Sequence, residues 1–339
     1  MKAGIYYGKH DIRIEDVPEP KCGPEGVKIQ VKWCGICGGD LRAYLFGPDS
    51  HHPAGSILGH EFVGDVVEVG DKVKNFKVGD RVIPGIRPYQ KIRSMMSSGI
   101  ARNSKELEKE FHLEIGGAFA NYVVKNKDIL VKLDSRLEYE EGAVIELTEV
   151  AVHGIKEAKL TLGETVFVAG AGPIGLATSQ VARAAGASKV YISENSELRK
   201  RIAKDLGVDE VLDFTKCKVA KEVHKLTGER GADVAFQCSP PALRDCVGAV
   251  RERGRVIVMA AYTEPVALDW RNEVLYRWVT LIPSMGVTVE DIMCAMEFVA
   301  NGRIKVGKLV TDKIQLKDLV TGIENLAEGH QVKILVSPE

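Results

Sequence analysis

The sequence predicts an α/β protein of two domains, one built on a doubly wound parallel sheet and the other rich in β-strand. Three observations carry that expectation. The stretch Thr165-Val166-Phe167-Val168-Ala169 is β-branched and aromatic; it runs into Gly170-Ala171-Gly172-Pro173-Ile174-Gly175, after which residues 176–185 have helical character and Gly186 stops them. A second strand, Lys189-Val190-Tyr191-Ile192-Ser193, follows at once. Far upstream, short alternating runs are punctuated by Gly-Asp turns, the pattern of a mostly β unit. With 339 residues there is room for two separate cores.

Composition narrows the partners. Lysine and arginine number 46 against 47 aspartates and glutamates, so the chain lacks the basic excess that nucleic acid or an anionic membrane demands. The mixed charges of Lys105-Glu106-Leu107-Glu108-Lys109-Glu110 read as a solvated helix face. No apolar run approaches a membrane span, and Met1-Lys2-Ala3-Gly4-Ile5 lacks a signal-peptide pattern; the expected compartment is the cytoplasm. Seven scattered cysteines, an odd count, favour reduced thiols with metal or catalytic use over a disulfide framework.

Taken in order, residues 27–33 alternate apolar side chains with Lys28, Gln30 and Lys32, a strand with one buried face. It ends in Cys34-Gly35-Ile36-Cys37-Gly38-Gly39-Asp40, a glycine-dense turn presenting thiols and a carboxylate. A C-x-x-C alone is ambiguous. A redox pair calls for a thioredoxin-like βαβ pattern and a structural zinc site for a second ligand pair close by, and neither is present; one cysteine acting with ligands further along is the better reading. An irregular loop at 44–59, rich in Pro and Gly, suits a pocket wall and closes on Gly59-His60-Glu61-Phe62. Cys37, His60 and Glu61 then stand as soft, borderline and hard donors in one small β unit, a mixture that a catalytic Zn2+ accepts while keeping a position open.

In the second half, Gly170 permits the tight turn, Gly172 lets the backbone approach a pyrophosphate, and Gly175 lets helix and strand pack closely. Pro173 and Ile174 complete the turn at the helix N-terminus, where the phosphates belong. Glu194, about 20 residues past the last glycine, is placed to accept hydrogen bonds from an adenosine ribose. Its charge favours NAD over NADP, while Arg199 and Arg201 keep NADP open. Residues 231–238 and 254–260 read as buried parallel strands with helices near 199–206 and 241–251, and residues 279–284 as the last strand of this domain.

Cys37-Gly38-Gly39-Asp40, Gly59-His60-Glu61, Val78-Gly79-Asp80-Arg81-Val82 and the glycine turn, in this order and at these separations, resemble the zinc-dependent medium-chain alcohol and polyol dehydrogenases, in their sorbitol-dehydrogenase-like branch. The likeness runs from about Met1 to the C-terminus. It implies a GroES-like zinc-holding β domain over residues 1–147 and 286–339, a Rossmann domain holding NAD over 148–285, and an active site in the cleft between them. It assigns Cys37, His60 and Glu61 as zinc ligands and puts Glu146, in Ala143-Val144-Ile145-Glu146-Leu147-Thr148, beside the zinc or its bound water. Asp40 resembles the carboxylate that orients the metal-bound imidazole and fixes its tautomer. By the same resemblance Cys238 and residues 260–262 lie near the nicotinamide; for Cys238 a small core residue at a strand end is the equal alternative. In relatives the strand at 279–284 pairs across a dimer, so a homodimer or homotetramer is expected, with pairing altered where Pro283 removes a backbone donor.

Two departures matter. Many relatives carry four cysteines for a second, structural zinc between the equivalents of Pro84 and Gly116; this chain has none there, so one zinc per chain is expected. Residues 85–115 instead offer Arg87, Tyr89, Arg93, Met95, Met96 and a helix over 104–111, as a pocket wall, a subunit contact or a repacked surface lobe. The resemblance also calls for Ser or Thr immediately before Asp40 and a relay histidine two residues after it, which together remove the alcohol proton. Here those positions are Gly39 and Arg42, and a guanidinium is no base at ordinary pH. Glu146, Glu61, a water chain, or a substrate or cofactor hydroxyl must serve, with His51, His52 and Glu149 as further candidates.

The function implied is hydride transfer between a nicotinamide cofactor and a hydroxyl or carbonyl of a polyol, sugar or cyclitol. A secondary-alcohol or amino-alcohol dehydrogenase is the alternative among enzymes, and a non-catalytic NAD-binding sensor or scaffold the alternative outside them. Arg42, Tyr44, Arg87, Tyr89 and Glu149 favour a hydroxyl-rich substrate.

Overall fold

The computed structural model describes residues 1–49, 52–85, 117–260 and 265–338. The expected helix at 104–111, the side chains Arg87, Tyr89, Arg93, Met95 and Met96, and His51 and Tyr262 lie outside these residues. The chain divides into two units: Met1–Glu146 with Gly286–Met296 and Val310–Glu339, and Leu147–Met285 with Glu297–Leu309.

A seven-stranded sheet holds the first unit, in the order Val310–Gln315, Lys333–Ser337, Gly26–Gly35, Glu61–Val69, Arg81–Pro84 and Leu130–Lys132, with Tyr122–Asn126 also paired to Gly26–Gly35. The alternation read in the sequence is real: Val27, Ile29 and Val31 are fully buried in a core shared with Tyr6, Phe62 and Phe119. Register is what this sheet contributes to chemistry. Gly35 lies opposite Glu61 on one side and Leu335 on the other. Side chains two residues apart share a face, so Lys333 joins Leu335, Gly35 and Glu61 on one surface of the sheet. Phe62 anchors that register, since burying such a side chain is worth about 1.5–3 kcal/mol. A slip of one residue would exchange Phe62 with Glu61.

The second unit is a parallel sheet in the order Glu210–Leu212, Lys189–Ser193, Thr165–Ala169, Ala232–Gln237, Val250–Val258 and Thr280–Pro283. In chain order these are the third, second, first, fourth, fifth and sixth strands, so the winding reverses between Thr165–Ala169 and Ala232–Gln237, the crevice where doubly wound sheets bind ligands. Both of those strands are buried along their whole length, which explains their continuous apolar runs. Asp233 is the exception. Its carboxylate accepts from Thr165 N at 2.8 Å, Arg251 Nε at 2.7 Å and Arg230 Nη2 at 2.8 Å, lacing the strand ends together.

Boundaries differ from the sequence expectation in two places. The strand expected at 254–260 starts at Val250, and the preceding helix is only Leu243–Ala249, because Pro240 and Pro241 hold a separate turn before it. Residues 297–309 fall with the second unit rather than the first. There Ile304, Val306 and Leu309 are buried and Lys305 N donates to Gln180 Oε1 at 2.8 Å. Among the described residues no helix is long and apolar enough to cross a membrane.

Candidate functional site

Cys37 stands at the N-terminal edge of the helix Gly38–Phe46 with an extended backbone, φ −93 and ψ 158. Asp40, in the first turn and fully buried, accepts from Cys37 N at 2.9 Å through one oxygen and from Gly59 N at 3.2 Å through the other. One carboxylate therefore ties together the two turns that carry the donors. Gly59 has φ +88, and a Cβ there would lie 2.8 Å from Cys34 Sγ, so only glycine lets the chain enter the strand Glu61–Val69 at this angle. The consequence is convergence: one ligand atom each from Cys37, His60 and Glu61 lie within 4.8 Å of one another, the group among the described residues able to hold a metal ion. Glu146, in the first turn of the helix Ile145–Glu157, brings Oε2 to 4.0 Å from His60 Nε2.

Asp40 has a role that the residue pattern did not signal. Both its oxygens accept from backbone N–H groups, because a carboxylate in the first turn of a helix meets unsatisfied backbone donors first.

The electrostatics favour a cation at this cluster. Burial pushes the Cys37 thiol up to about 12, and the Glu61 charge adds to it. Burial also raises the Glu61 carboxyl, but the Lys333 ammonium and then the His60 ring outweigh it, leaving Glu61 below its ordinary value. Lys333 is raised in turn, its desolvation overcome by Glu61. The pair is fully enclosed, with Nζ 2.5 Å from Glu61 Oε2 and both side chains 2 % exposed, and Nζ also donates to Ile36 O at 2.9 Å. Gly35 makes the space, since a Cβ there would lie 2.5 Å from Glu61 Oε2. A half-buried thiol and imidazole and a buried carboxylate that converge, with a thiol hard to ionise unless a cation is beside it, fit a divalent ion of zinc's type. Lys333 escaped the sequence reading. Its signal was a lone charge in the apolar strand Val332-Lys333-Ile334-Leu335-Val336.

Two residues expected near substrate are engaged elsewhere. Tyr44 is 3 % exposed and its hydroxyl donates to Glu324 Oε1 at 2.9 Å, while Arg42 Nη2 donates to Asp49 Oδ2 at 3.0 Å. Glu149 is buried in the second unit.

The cofactor turn follows the strand Thr165–Ala169 at the reversal of winding. Gly170 has φ +98, and a Cβ on Gly175 would sit 1.9 Å from Gly170 O, so the helix Pro173–Ala184 approaches the strand only because that carbon is missing. A Cβ on Gly172 would meet nothing within 4 Å, which leaves room for a ligand against the backbone. Pro173 opens the helix, followed by Ile174, and the N–H groups of a helix's first turn are the kind of donor that favours an anion. Glu194 is buried at the end of Lys189–Ser193. One oxygen accepts from Ala171 N at 3.1 Å and the other from Asn195 N at 2.8 Å and Ser196 N at 3.0 Å, with Arg199 Nη1 at 3.9 Å. Cys238 takes its place beside Thr178 Oγ1 at 3.9 Å and Met259 Sδ at 3.8 Å, and burial pushes its thiol up to about 12.

Residues 23–135 match the alcohol dehydrogenase GroES-like domain and residues 173–301 the zinc-binding dehydrogenase domain. The chain is 36% identical over 357 residues to (R,R)-butanediol dehydrogenase of Bacillus subtilis, covering 100% of both. This chain belongs to the zinc-type medium-chain alcohol dehydrogenase family. Another member of that family, sorbitol dehydrogenase 2 of Saccharomyces cerevisiae, is 34% identical to this dehydrogenase over 97% of this chain and 96% of its own. The solved structure of 2R,3R-butanediol dehydrogenase from Bacillus subtilis matches it with a TM-score of 0.86 at 35% identity, over 100% of this chain and 99% of that one. This medium-chain dehydrogenase is accordingly an oxidoreductase acting on CH–OH groups of small-molecule alcohols, with zinc and a nicotinamide cofactor, on a GroES-like and a Rossmann-type unit. The reading of a non-catalytic sensor is not favoured.

Proposed function

We propose that this dehydrogenase oxidises a secondary hydroxyl of a vicinal diol or polyol with NAD, holding zinc through Cys37, His60 and Glu61 with Glu146 beside them. The observation that carries it is the convergence of those three donors within 4.8 Å in a chain that also keeps an intact glycine turn. Zinc there supplies Lewis acidity that makes a substrate hydroxyl easier to deprotonate. The nicotinamide supplies the hydride acceptor.

The chain's own residues position and balance this chemistry. Asp40 locks the Cys37 turn to the Gly59 turn. Lys333 donates to Oε2 of Glu61, so the ammonium and a metal would share the charge of one carboxylate. Glu194, fixed by three backbone N–H groups, is ready to accept ribose hydroxyls and repels a 2′-phosphate, which supports NAD over NADP. A diol substrate is supported by the butanediol and sorbitol dehydrogenases among the relatives, whose named substrates carry adjacent hydroxyls. Self-association as a homodimer or homotetramer is supported by the edge strand Thr280–Pro283 and the exposed apolar side chains Trp270, Leu275, Tyr276 and Trp278 of the same unit.

The test is metal analysis of never-chelated protein followed by NAD and NADP reduction with (2R,3R)-butanediol, sorbitol, butan-2-ol and an amino alcohol. Zinc with NADH formation from the diol and polyol is expected. Full turnover by metal-free protein would remove the ligand assignment, and equal use of NADP would remove the role given to Glu194.

A further inference from the structure

Oxidising CH–OH to C=O releases a proton with every hydride, and the turn that carries Cys37 offers little to accept it: Gly38 and Gly39 have no side chain, Asp40 is taken up by two backbone N–H groups, and Arg42 is a permanent cation. We propose that His52, held by Asp49, takes that proton. The inference rests on the dehydrogenase reading above and supplies its missing base.

The imidazole of His52 faces the side of Gly39 on which a side chain would project. A Cβ built on Gly39 would sit 3.5 Å from both Cε1 and Nε2 of His52, so that edge of the ring stands where a side chain at this position would meet it in ordinary van der Waals contact. Gly39 is two residues from Cys37, and consecutive Cα atoms are about 3.8 Å apart, which keeps the two within roughly 7.6 Å. The other ring nitrogen, Nδ1, is 3.0 Å from Asp49 Oδ1, and the same oxygen accepts the backbone N–H of His52 at 2.8 Å. Asp49 Oδ2 takes the Arg42 guanidinium at 3.0 Å. The helix Gly38–Phe46 thus faces the ring at Gly39 and fixes its carboxylate partner through Arg42.

This is a carboxylate–imidazole pair in a definite order. A carboxylate at Nδ1 selects the tautomer with the proton there, which makes Nε2 the basic nitrogen and stabilises the imidazolium once formed. Of the other bases, His60 belongs to the donor group, Glu61 is held by Lys333, and Glu146 Oε2 lies 4.0 Å from the His60 ring. In the oxidising direction the O–H bond breaks towards Nε2, the C–H electron pair leaves as hydride to the nicotinamide, and the carbonyl forms. The imidazolium, balanced by Asp49, then gives its proton to water, which reaches a side chain 12 % exposed. Reduction runs the same transfers backwards.

The experiment compares zinc-loaded wild type, His52→Gln, His52→Ala and Asp49→Asn with (2R,3R)-butanediol and NAD, recording kcat, KM, zinc content and NAD affinity. If the wild type forms no NADH from any alcohol, the dehydrogenase reading falls and this inference with it. With an active wild type, His52→Gln is expected to lower kcat by about 10²-fold, the usual contribution of a general base, with zinc and NAD affinity retained. Added imidazole is expected to restore part of the His52→Ala rate. Asp49→Asn, a positioning change, is expected to lower kcat more than it raises KM, and long-range 1H–15N spectra should show the Nδ1–H tautomer of His52 in the wild type weakened in that variant. Wild-type kcat in zinc-bearing His52→Gln, or loss of zinc from it, would overturn the role of His52 and leave the dehydrogenase reading standing.

Discussion

Residues 170–175, six in a row, make the cofactor turn, whereas the metal cluster draws on Cys37, His60 and Glu61 and is balanced by Lys333, which lies 272 residues from Glu61 along the chain. The first works by what is absent. Its chemistry is backbone N–H groups and missing β-carbons, and it depends on steric space. The second works by charge. The buried Glu61 carboxylate and Lys333 ammonium lie beside the half-buried Cys37 thiol, so its stability depends on which of them are ionised and on whether a cation is present.

That contrast can be broken by substitution. The largest effect is expected of Cys37→Ser. Lewis-acid stabilisation of several kcal/mol is lost with the metal, and at about 1.4 kcal/mol per factor of ten turnover should fall roughly 10³-fold or more. NAD affinity, measured by calorimetry, should stay; a loss of NAD binding would mean the two regions are not separable. Gly175→Ala is the mirror experiment. Its methyl must displace Gly170 O from 1.9 Å, so cofactor binding should collapse while zinc content stays near wild type.

Lys333→Met comes next. It leaves Glu61 charged, buried and unpaired, a cost of about 3–5 kcal/mol when one partner of such a pair is removed. A metal supplies the missing positive charge, so unfolding in urea should show a larger loss with chelator than with zinc. Equal losses would show that Lys333 and the metal do not share Glu61. Asp233→Asn sharpens the other side with the smallest expected effect, about 1.5–3 kcal/mol for charge-assisted hydrogen bonds. Burial raises the Asp233 carboxyl, but Arg251 and the Thr165 N–H outweigh it, and the net shift is below the ordinary 3.8. A group lowered on folding contributes above its unfolded value and loses that contribution as pH falls through its folded value. The variant's deficit should therefore be full near pH 7 and shrink below pH 3.8, with zinc content untouched.

Legibility followed the same line. The doubly wound sheet, the glycine turn and Glu194 were readable because strand periodicity, positive-φ glycines and a carboxylate at a strand end are local properties. The donor types at Cys37, His60 and Glu61 were readable too, as candidates. The two N–H groups that Asp40 accepts were not legible, because they depend on helix-end geometry that residue type does not encode. Tyr44 looked like a pocket residue and is buried against Glu324, a partner 280 positions away.

The sequence by itself determined the architecture and the kind of chemistry, since residue spacing dictates helices, strands and turns, and donor chemistry dictates which cofactors can be held. Only the tertiary structure decided how the charges are balanced: that Lys333 holds Glu61 across the space of Gly35, that Asp40 joins two turns, and that His52 lies over Gly39. Strand register and a missing β-carbon create those meetings, and both depend on residues far apart in the chain that become neighbours only when the sheet has formed.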